Sequence, residues 1–246
     1  MNAVIASLRP AGPAAQRVAG LDWRDLSAQL DARGSAVVGQ LLTPQECRAL
    51  AALYPEDRLF RSRVVMARHG FGSGEYRYFT YPLPADIAAL RGAFYARLAP
   101  IANAWNERLG VEQRYPASHA EYLARCHAAS QTRPTPLLLK YEEGDYNCLH
   151  QDLYGEHVFP LQVAVLLSEP GEDFLGGEFV ITEQRPRMQT RVEVLNLRQG
   201  DAALFAVSHR PVQGARGTYR VNLRHGVSRL RSGERQTLGI IFHDAA

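Results

Sequence analysis

From residue 137 to the C-terminus, short apolar runs alternate with Gly, Pro or charged turns: LLLKY, HVFPLQVAVLLS, GEFVIT, RVEVLNL, DAALFAV, TYRVNLRHGV and QTLGIIF. Strand-length runs at this spacing predict an antiparallel sandwich or barrel. The first half reads differently. Asp22 to Arg33 carries a helical pattern that Gly34 stops, and Ala36-Val37-Val38 predicts a short strand. Thr43-Pro44-Gln45-Glu46 then sets out an N-cap, a first-turn proline and a capping-box Glu, which start a second helix. Residues 61–81 alternate on both sides of Phe71-Gly72-Ser73-Gly74, predicting two strands joined by a mobile loop. Helices follow over Ala85 to Leu109 and Ser118 to Ala129, and Gln131-Thr132-Arg133-Pro134-Thr135-Pro136 breaks the chain before the β half. The expected class is α+β, with N-terminal helices flanking an antiparallel jelly roll. Residues 1–20 are expected to be a loose tail, 21–130 a helical and lid-bearing part, and 131–246 the β core, the last two forming one integrated domain.

Composition narrows the setting. A chain of 246 residues buries a substantial core without staples. Cys47, Cys126 and Cys148 are odd in number and lack CxxC spacing, which speaks against a disulfide framework and for a reducing compartment. The apolar run Ala3 to Leu8 is too short for a secretory signal or a bilayer span. A cytoplasmic monomer without membrane association is expected. Net charge is only +3, yet eleven arginines stand between Arg185 and Arg235 against three acids, so a local basic face for phosphates competes with a compositional habit: Lys140 is the chain's only lysine.

The chemistry concentrates in CLHQDLYG, residues 148–155. On a strand, His150 and Asp152 share one face while Leu149 and Gln151 point away. A facial triad of two imidazoles and one carboxylate needs one more His and leaves three coordination positions open. His225, in Leu223-Arg224-His225-Gly226-Val227, is the candidate, and His209 is the rival. An HxD alone is weak evidence, but its surroundings are ordered. Tyr141-Glu142-Glu143-Gly144 precedes it, Leu175-Gly176-Gly177-Glu178-Phe179 follows, and Arg235 stands ten residues beyond His225 on the last predicted strand. Arg235 could pair bidentately with a carboxylate cosubstrate to which Tyr141 donates. His157 and His243 read as surface and strand-capping groups, His69, His119 and His127 have no ligand-like spacing, and Cys148 reads as a packed thiol.

YEEGDYNCLHQD, the GGEF turn, RHGVS and GERQTLGIIF together resemble the iron(II)- and 2-oxoglutarate-dependent dioxygenases over roughly residues 131–246. The resemblance implies a double-stranded β-helix, His150, Asp152 and His225 on Fe(II), Arg235 on the distal carboxylate of 2-oxoglutarate, Tyr141 beside it, and O2 as the oxidant. LLLKYEEGDYNCLHQD and RHGVS look like the AlkB-type alkylation-repair branch, and RHGVS with IIFHDA looks like a bacterial family of nucleic-acid-modifying oxygenases. Against that branch, Leu139 stands where AlkB-type enzymes carry Asn, and a single Arg235 resembles the prolyl-hydroxylase pattern. The leading expectation is oxidative dealkylation of N-alkylated nucleobases in DNA, with RNA as the alternative nucleic acid. A prolyl-hydroxylase-like oxygenase of peptides or small molecules is the second reading, and a non-catalytic nucleic-acid-binding jelly roll the third. Substrate contacts are expected from Met66, Arg68, Tyr76, Arg77 and Tyr78 in the lid-like segment, and from Arg210 and Arg216 in a basic, mobile loop over residues 209–218.

Overall fold

The computed structural model describes residues 13–153 and 155–246; the first twelve residues of the expected tail lie outside them. Pro13–Ala19 forms helix α1, whose buried Ala14, Ala15 and Val18 pack against the long helix α4 (Ala85–Arg108). Three small apolar residues on one face of a short helix suffice to dock it, which a count of consecutive apolar residues does not reveal. Helix α2 (Trp23–Arg33) starts on the Asp22 side chain and ends on Gly34 in the left-handed region, and strand β1 (Ser35–Val38) follows. Helix α3 (Pro44–Ala51) has the expected capping box, with Thr43 and Glu46 each satisfying the other's backbone N–H. Strands β2 (Phe60–Val65), β3 (Gly72–Ser73) and β4 (Glu75–Phe79) precede α4 and α5 (His119–Ala128).

The β half supplies β5 (Leu137–Tyr141), β6 (Tyr146–His150), β7 (Leu161–Leu166), β8 (Phe174–Gly176), β9 (Phe179–Gln184) and β10 (Arg191–Leu195). It continues with β11 (Ala202–Ala206), β12 (His209–Gly214), β13 (Gly217–Val227), β14 (Leu230–Gly233) and β15 (Arg235–Ile240). A seven-stranded sheet runs β1-β11-β7-β15-β5-β4-β2, and the path β10-β9-β13-β6-β3, with β12 beside β13, forms the second sheet. These are the two layers of the double-stranded β-helix. Strand β7 lies inside the larger sheet and is buried at every position, which explains why LQVAVL reads as a continuous apolar run and not as an alternation. Among the described residues no helix is long and apolar enough to cross a membrane.

Two expected loops are strands. Residues 209–214 form β12, which pairs with β13 from His209↔Asn222 to Gly214↔Gly217. Pro211 favours a loop, but β12 is paired on one side only, where a missing N–H is tolerated. Gly72 and Ser73 are likewise a strand hydrogen-bonded to β6, in register with Asn147 and Tyr146. Gly72 has a φ of +133°, and a Cβ there would collide with the Tyr146 carbonyl, so this glycine permits close backbone approach rather than motion.

A buried ion pair ties α4 to the segment after β15. Arg91 on α4 places its guanidinium 2.8 Å from Asp244, with Nε donating to the Ile241 carbonyl at 2.8 Å. Both side chains are buried. Around them Tyr95, Tyr115, Tyr122, Phe159 and Phe242 form a continuous aromatic cluster joining α4 and α5 to the segment after β15.

Breaking that pair from one side should be costly. Asp244→Asn is expected to lower stability by about 3–5 kcal/mol, because Arg91 remains charged and buried, read as a lower urea midpoint. Burial opposes the Asp244 carboxylate, but Arg91 and the hydrogen bonds from His127 and Tyr81 outweigh it and hold its pKa below the ordinary value. Its contribution is therefore complete above about pH 4 and is lost as pH falls through the lowered folded value, so the Asn variant should lose that part of the acid dependence. In β3, Gly72→Ala should unpair the strand from β6. The expected sign is faster hydrogen exchange at the Cys148 amide, which donates to the Phe71 carbonyl at 2.9 Å; an unchanged rate would show that the strand is held by something else.

Candidate metal and cosubstrate site

Between the two sheets lies a cavity of about 320 Å³, within the range of small-molecule sites. Register decides what stands on its wall. His225 on β13 pairs directly with His150 on β6, and the two imidazole centroids are 4.2 Å apart. Strand β6 ends at His150, and Gln151 anchors the exit by donating from Nε2 to the carbonyls of Ser208 and Leu223, at 3.0 and 2.7 Å. Asp152 is thereby turned between the rings. Its two carboxylate oxygens lie 3.4 Å from His150 Nε2 and His225 Nε2 respectively.

The ligand atoms of His150, Asp152 and His225 all fall within 4.8 Å of one another. His209 is not among them; it sits on β12 with Nδ1 at 2.9 Å from Ser208 Oγ. The His150 Nδ1–H donates to the Cys148 carbonyl at 2.8 Å, which turns Nε2 toward Asp152. His225 packs its ring between Phe179 and Phe205, and burial lowers its pKa, which keeps it neutral. Burial acts on His150 in the same sense, but the more exposed ring is governed by Asp152, which raises its pKa. Burial likewise opposes ionisation of Asp152, and the two imidazole hydrogen bonds outweigh it, holding the carboxyl well below the usual range. Two imidazole nitrogens and an ionised carboxylate form a donor set that fits a divalent cation with open positions.

On the wall of the same cavity Arg235 is buried and forms no ion pair among the described residues. Its guanidinium carbon lies 5.6 Å from the Tyr141 ring centroid and 5.9 Å from that of Phe174, one Nη donates to Thr237 Oγ1 at 2.7 Å, and its Nε is buried without a partner. Burial lowers its pKa to about 10, still charged near neutrality. Gln162, the one polar residue in the run of β7, also lines the cavity with a buried, unpartnered Nε2. A buried cation and an amide that each keep a donor nitrogen without an acceptor among the described residues fit an anionic ligand. Tyr141, directly across from Arg235 in register, is fully buried with its pKa raised by burial, so its hydroxyl stays a donor. The cavity walls thus offer groups for both a metal and a carboxylate.

The expected substrate residues divide. Tyr76 and Tyr78 line the cavity, with ring centroids 5.3 Å apart. Arg77 does not; strand alternation turns it to the opposite face, where it pairs with Asp57 and lies 4.8 Å from the centroid of Tyr54. Met66 is a core side chain, and Arg68 is exposed on the turn after β2, off the cavity wall. Arg210 is buried, bonded to Glu183 at 2.6 Å and to the Asp31 carbonyl at 2.7 Å; its role is to lock α2 onto the second sheet. Arg216 lies in the turn between β12 and β13, at the far end of that hairpin from His225, and lines no part of the cavity.

Other expectations are revised as well. Cys148 is exposed and lines the cavity, and its carbonyl, not its thiol, orients His150. His243 is buried and accepts from the Phe159 N–H at 3.2 Å, inside the aromatic cluster and not at a strand end. His157 stays outside the cavity, its backbone held by Gln131. The basic face is smaller than the arginine count suggests, because Arg185, Arg191 and Arg210 all converge on Glu183. Thr237, Gln162 and Asn147 join the wall without having been singled out in the sequence. Thr237 is readable from its spacing, two positions from Arg235 on one strand, and Gln162 from being polar inside an apolar run.

A family model described as an oxygenase catalysing oxidative methylation of damaged DNA matches residues 74–245. Two uncharacterized proteins of Mycobacterium tuberculosis, from strains CDC 1551 / Oshkosh and H37Rv, are each 52% identical over 168 residues, 68% of this chain and 72% of theirs. Among solved structures, a 2OG-Fe(II) oxygenase family oxidoreductase from Burkholderia pseudomallei has a TM-score of 0.54 at 18% identity, covering 91% of this chain and 93% of that one. A prolyl hydroxylase from Trichoplax adhaerens, in complex with a hypoxia inducible factor peptide fragment, has a TM-score of 0.54 at 15% identity, covering 92% and 91%. These structural likenesses speak for the fold alone, whereas the span of the family model and the M. tuberculosis identity decide membership. The chain belongs to the oxygenase family described as catalysing oxidative methylation of damaged DNA.

Proposed function

We propose that the enzyme oxidises N-alkyl groups on damaged nucleobases in DNA, with His150, Asp152 and His225 holding iron(II), and Arg235 and Tyr141 holding the distal carboxylate of 2-oxoglutarate. The observation that carries the site assignment is the unpaired Arg235 guanidinium buried in the same cavity as the three converging ligands. The nucleic-acid assignment draws on the family description and on Tyr76 and Tyr78, which give the cavity an aromatic wall suited to an unstacked base.

When bound, iron with 2-oxoglutarate supplies the oxidation of a C–H bond coupled to decarboxylation of the cosubstrate to succinate. One oxygen atom of O2 goes to succinate and the other to the methyl carbon, which becomes N–CH2OH. That adduct expels formaldehyde and returns the ring N–H. The balance yields loss of a methyl group; methyl transfer to the base would need a methyl donor, which these reactants do not include. The protein's own part is positioning. Cys148 fixes the His150 tautomer, Gln151 fixes the turn that aims Asp152, and Phe179 and Phe205 keep water from the His225 ring.

Asp152→Ala and His225→Ala should each abolish iron binding and succinate formation, whereas His209→Ala should retain both; the reverse result for the two histidines would overturn the ligand assignment. Arg235→Ala should cost ~2–3 kcal/mol of cosubstrate binding, a rise in the 2-oxoglutarate KM of roughly 30- to 150-fold. Methylated oligonucleotides should release formaldehyde in step with succinate. Turnover of a proline-containing peptide with inert oligonucleotides would instead favour the second reading, to which the single Arg235 points.

A further inference from the structure

We propose that Arg61 and Tyr78 form a clamp for the nucleotide next to the oxidised base, Arg61 binding its phosphate while Tyr78 offers the adjoining aromatic surface. The inference rests on the nucleobase reading above and names the part of the strand that the enzyme grips. Strands β4 and β2 extend the larger sheet beyond β5, so its cavity face continues outward as a shelf. The β2–β4 register shifts between Phe60 and Ser62, at Arg61. There the Arg61 guanidinium carbon lies 4.5 Å from the Tyr78 ring centroid, and Nε donates to the Pro134 carbonyl at 2.9 Å. Stacking and one hydrogen bond fix the guanidinium plane.

The arginines of this hairpin are sorted by face. Arg63 pairs with Glu75 and Arg77 with Asp57, on the side away from the cavity. Arg61, beside the cavity-lining Tyr78, makes no ion pair among the described residues, although it is half-buried. Asp244 is near enough to act on it, but that carboxylate is committed to Arg91, His127 and Tyr81. Arg133 adds a second positive charge in the neighbourhood. A half-buried guanidinium that is stacked, oriented and in no ion pair among the described residues suits an anion brought by the substrate. A phosphodiester fits because the planar fork can bind its oxygens while remaining stacked, and because a base attached to that phosphate can stack nearby. The clamp therefore favours a base within a strand over a free nucleoside.

Steady-state kinetics on a methylated oligonucleotide and on the corresponding methylated nucleoside test this, with Arg61→Met, Arg61→Lys and, as the control on the opposite face, Arg63→Met. Circular dichroism melts establish that each variant folds. For Arg61→Met the ratio of oligonucleotide to nucleoside kcat/KM is expected to fall about tenfold, and the slope of log KM against log salt to flatten by about one phosphate contact. Arg61→Lys should keep the salt slope while losing part of the ratio, and Arg63→Met should change neither. If wild type acts on oligonucleotides while Arg61→Met keeps both ratio and slope, the clamp is wrong and the nucleobase reading stands. If wild type acts on peptides and on no oligonucleotide, both fall together.

Discussion

The pairing of β13 with β6 sets everything else in this molecule. His225 stands opposite His150, and Asp152, just past the end of β6, reaches between the two rings. A slip of one residue would turn every alternate side chain of one strand to the other face and remove an imidazole from the cavity. The register is held from both sides of β13. Strand β9 pairs with it from Asn222↔Gln184 to Val227↔Phe179, and Gly226 lets the backbone of β6 come close, since a Cβ there would sit 2.7 Å from the Asn147 carbonyl. The apolar residues that alternate inward on β13, Val221 and Leu223, are buried in the same phase as His225. Core packing and the chemistry of the site therefore demand the same register.

The second constraint is charge. Arg91 and Arg235 are both buried on elements that meet at or near β15, yet their surroundings differ. Arg91 is matched by Asp244 and by the Ile241 and His243 carbonyls, so its charge is compensated within the fold. Arg235 has aromatic rings on either side and one hydroxyl, with its Nε unmatched. A buried cation left this way is unfavourable by several kcal/mol, and binding an anionic ligand recovers that energy. The contrast separates an arginine whose charge the fold compensates from one whose charge it leaves open, although both look alike in the sequence.

Much of the architecture is legible in the sequence because it rests on local rules. The capping box at Thr43 and Glu46, the left-handed Gly34 and the strand-length runs from LLLKY to QTLGIIF each form the predicted element. The site is legible in part for a similar reason: the two-residue spacing of His150 and Asp152 is a local signal, and so is the ten-residue step from His225 to Arg235. What stays hidden depends on partners distant in sequence. Arg210 reads as a loop cation and is a core residue because Glu183 lies against it. Arg77 reads as a substrate group beside Tyr76 and Tyr78, but alternation separates neighbours, and only the pairing of β4 with β5 determines which face meets the cavity. Gly72 and Pro211 signal loops, and each is instead accommodated within a strand by the geometry of its neighbour.

The position of β3 joins these constraints. This two-residue strand ties the segment between β2 and β4 onto β6, the strand that ends in His150. Phe71, exposed and stacked on His69 at 5.3 Å, lines the cavity mouth, and its carbonyl accepts from the Cys148 N–H. The Cys148 carbonyl in turn accepts from His150 Nδ1. Phe71 and the His150 ring are thus both hydrogen-bonded to Cys148, one to its N–H and the other to its carbonyl, on two adjacent peptide units. The arrangement makes the mouth and the floor of the cavity parts of one hydrogen-bonded ribbon. A loop at residues 72–73 would lack this connection, so the strand character of β3 is what ties the cavity mouth to the strand that carries His150.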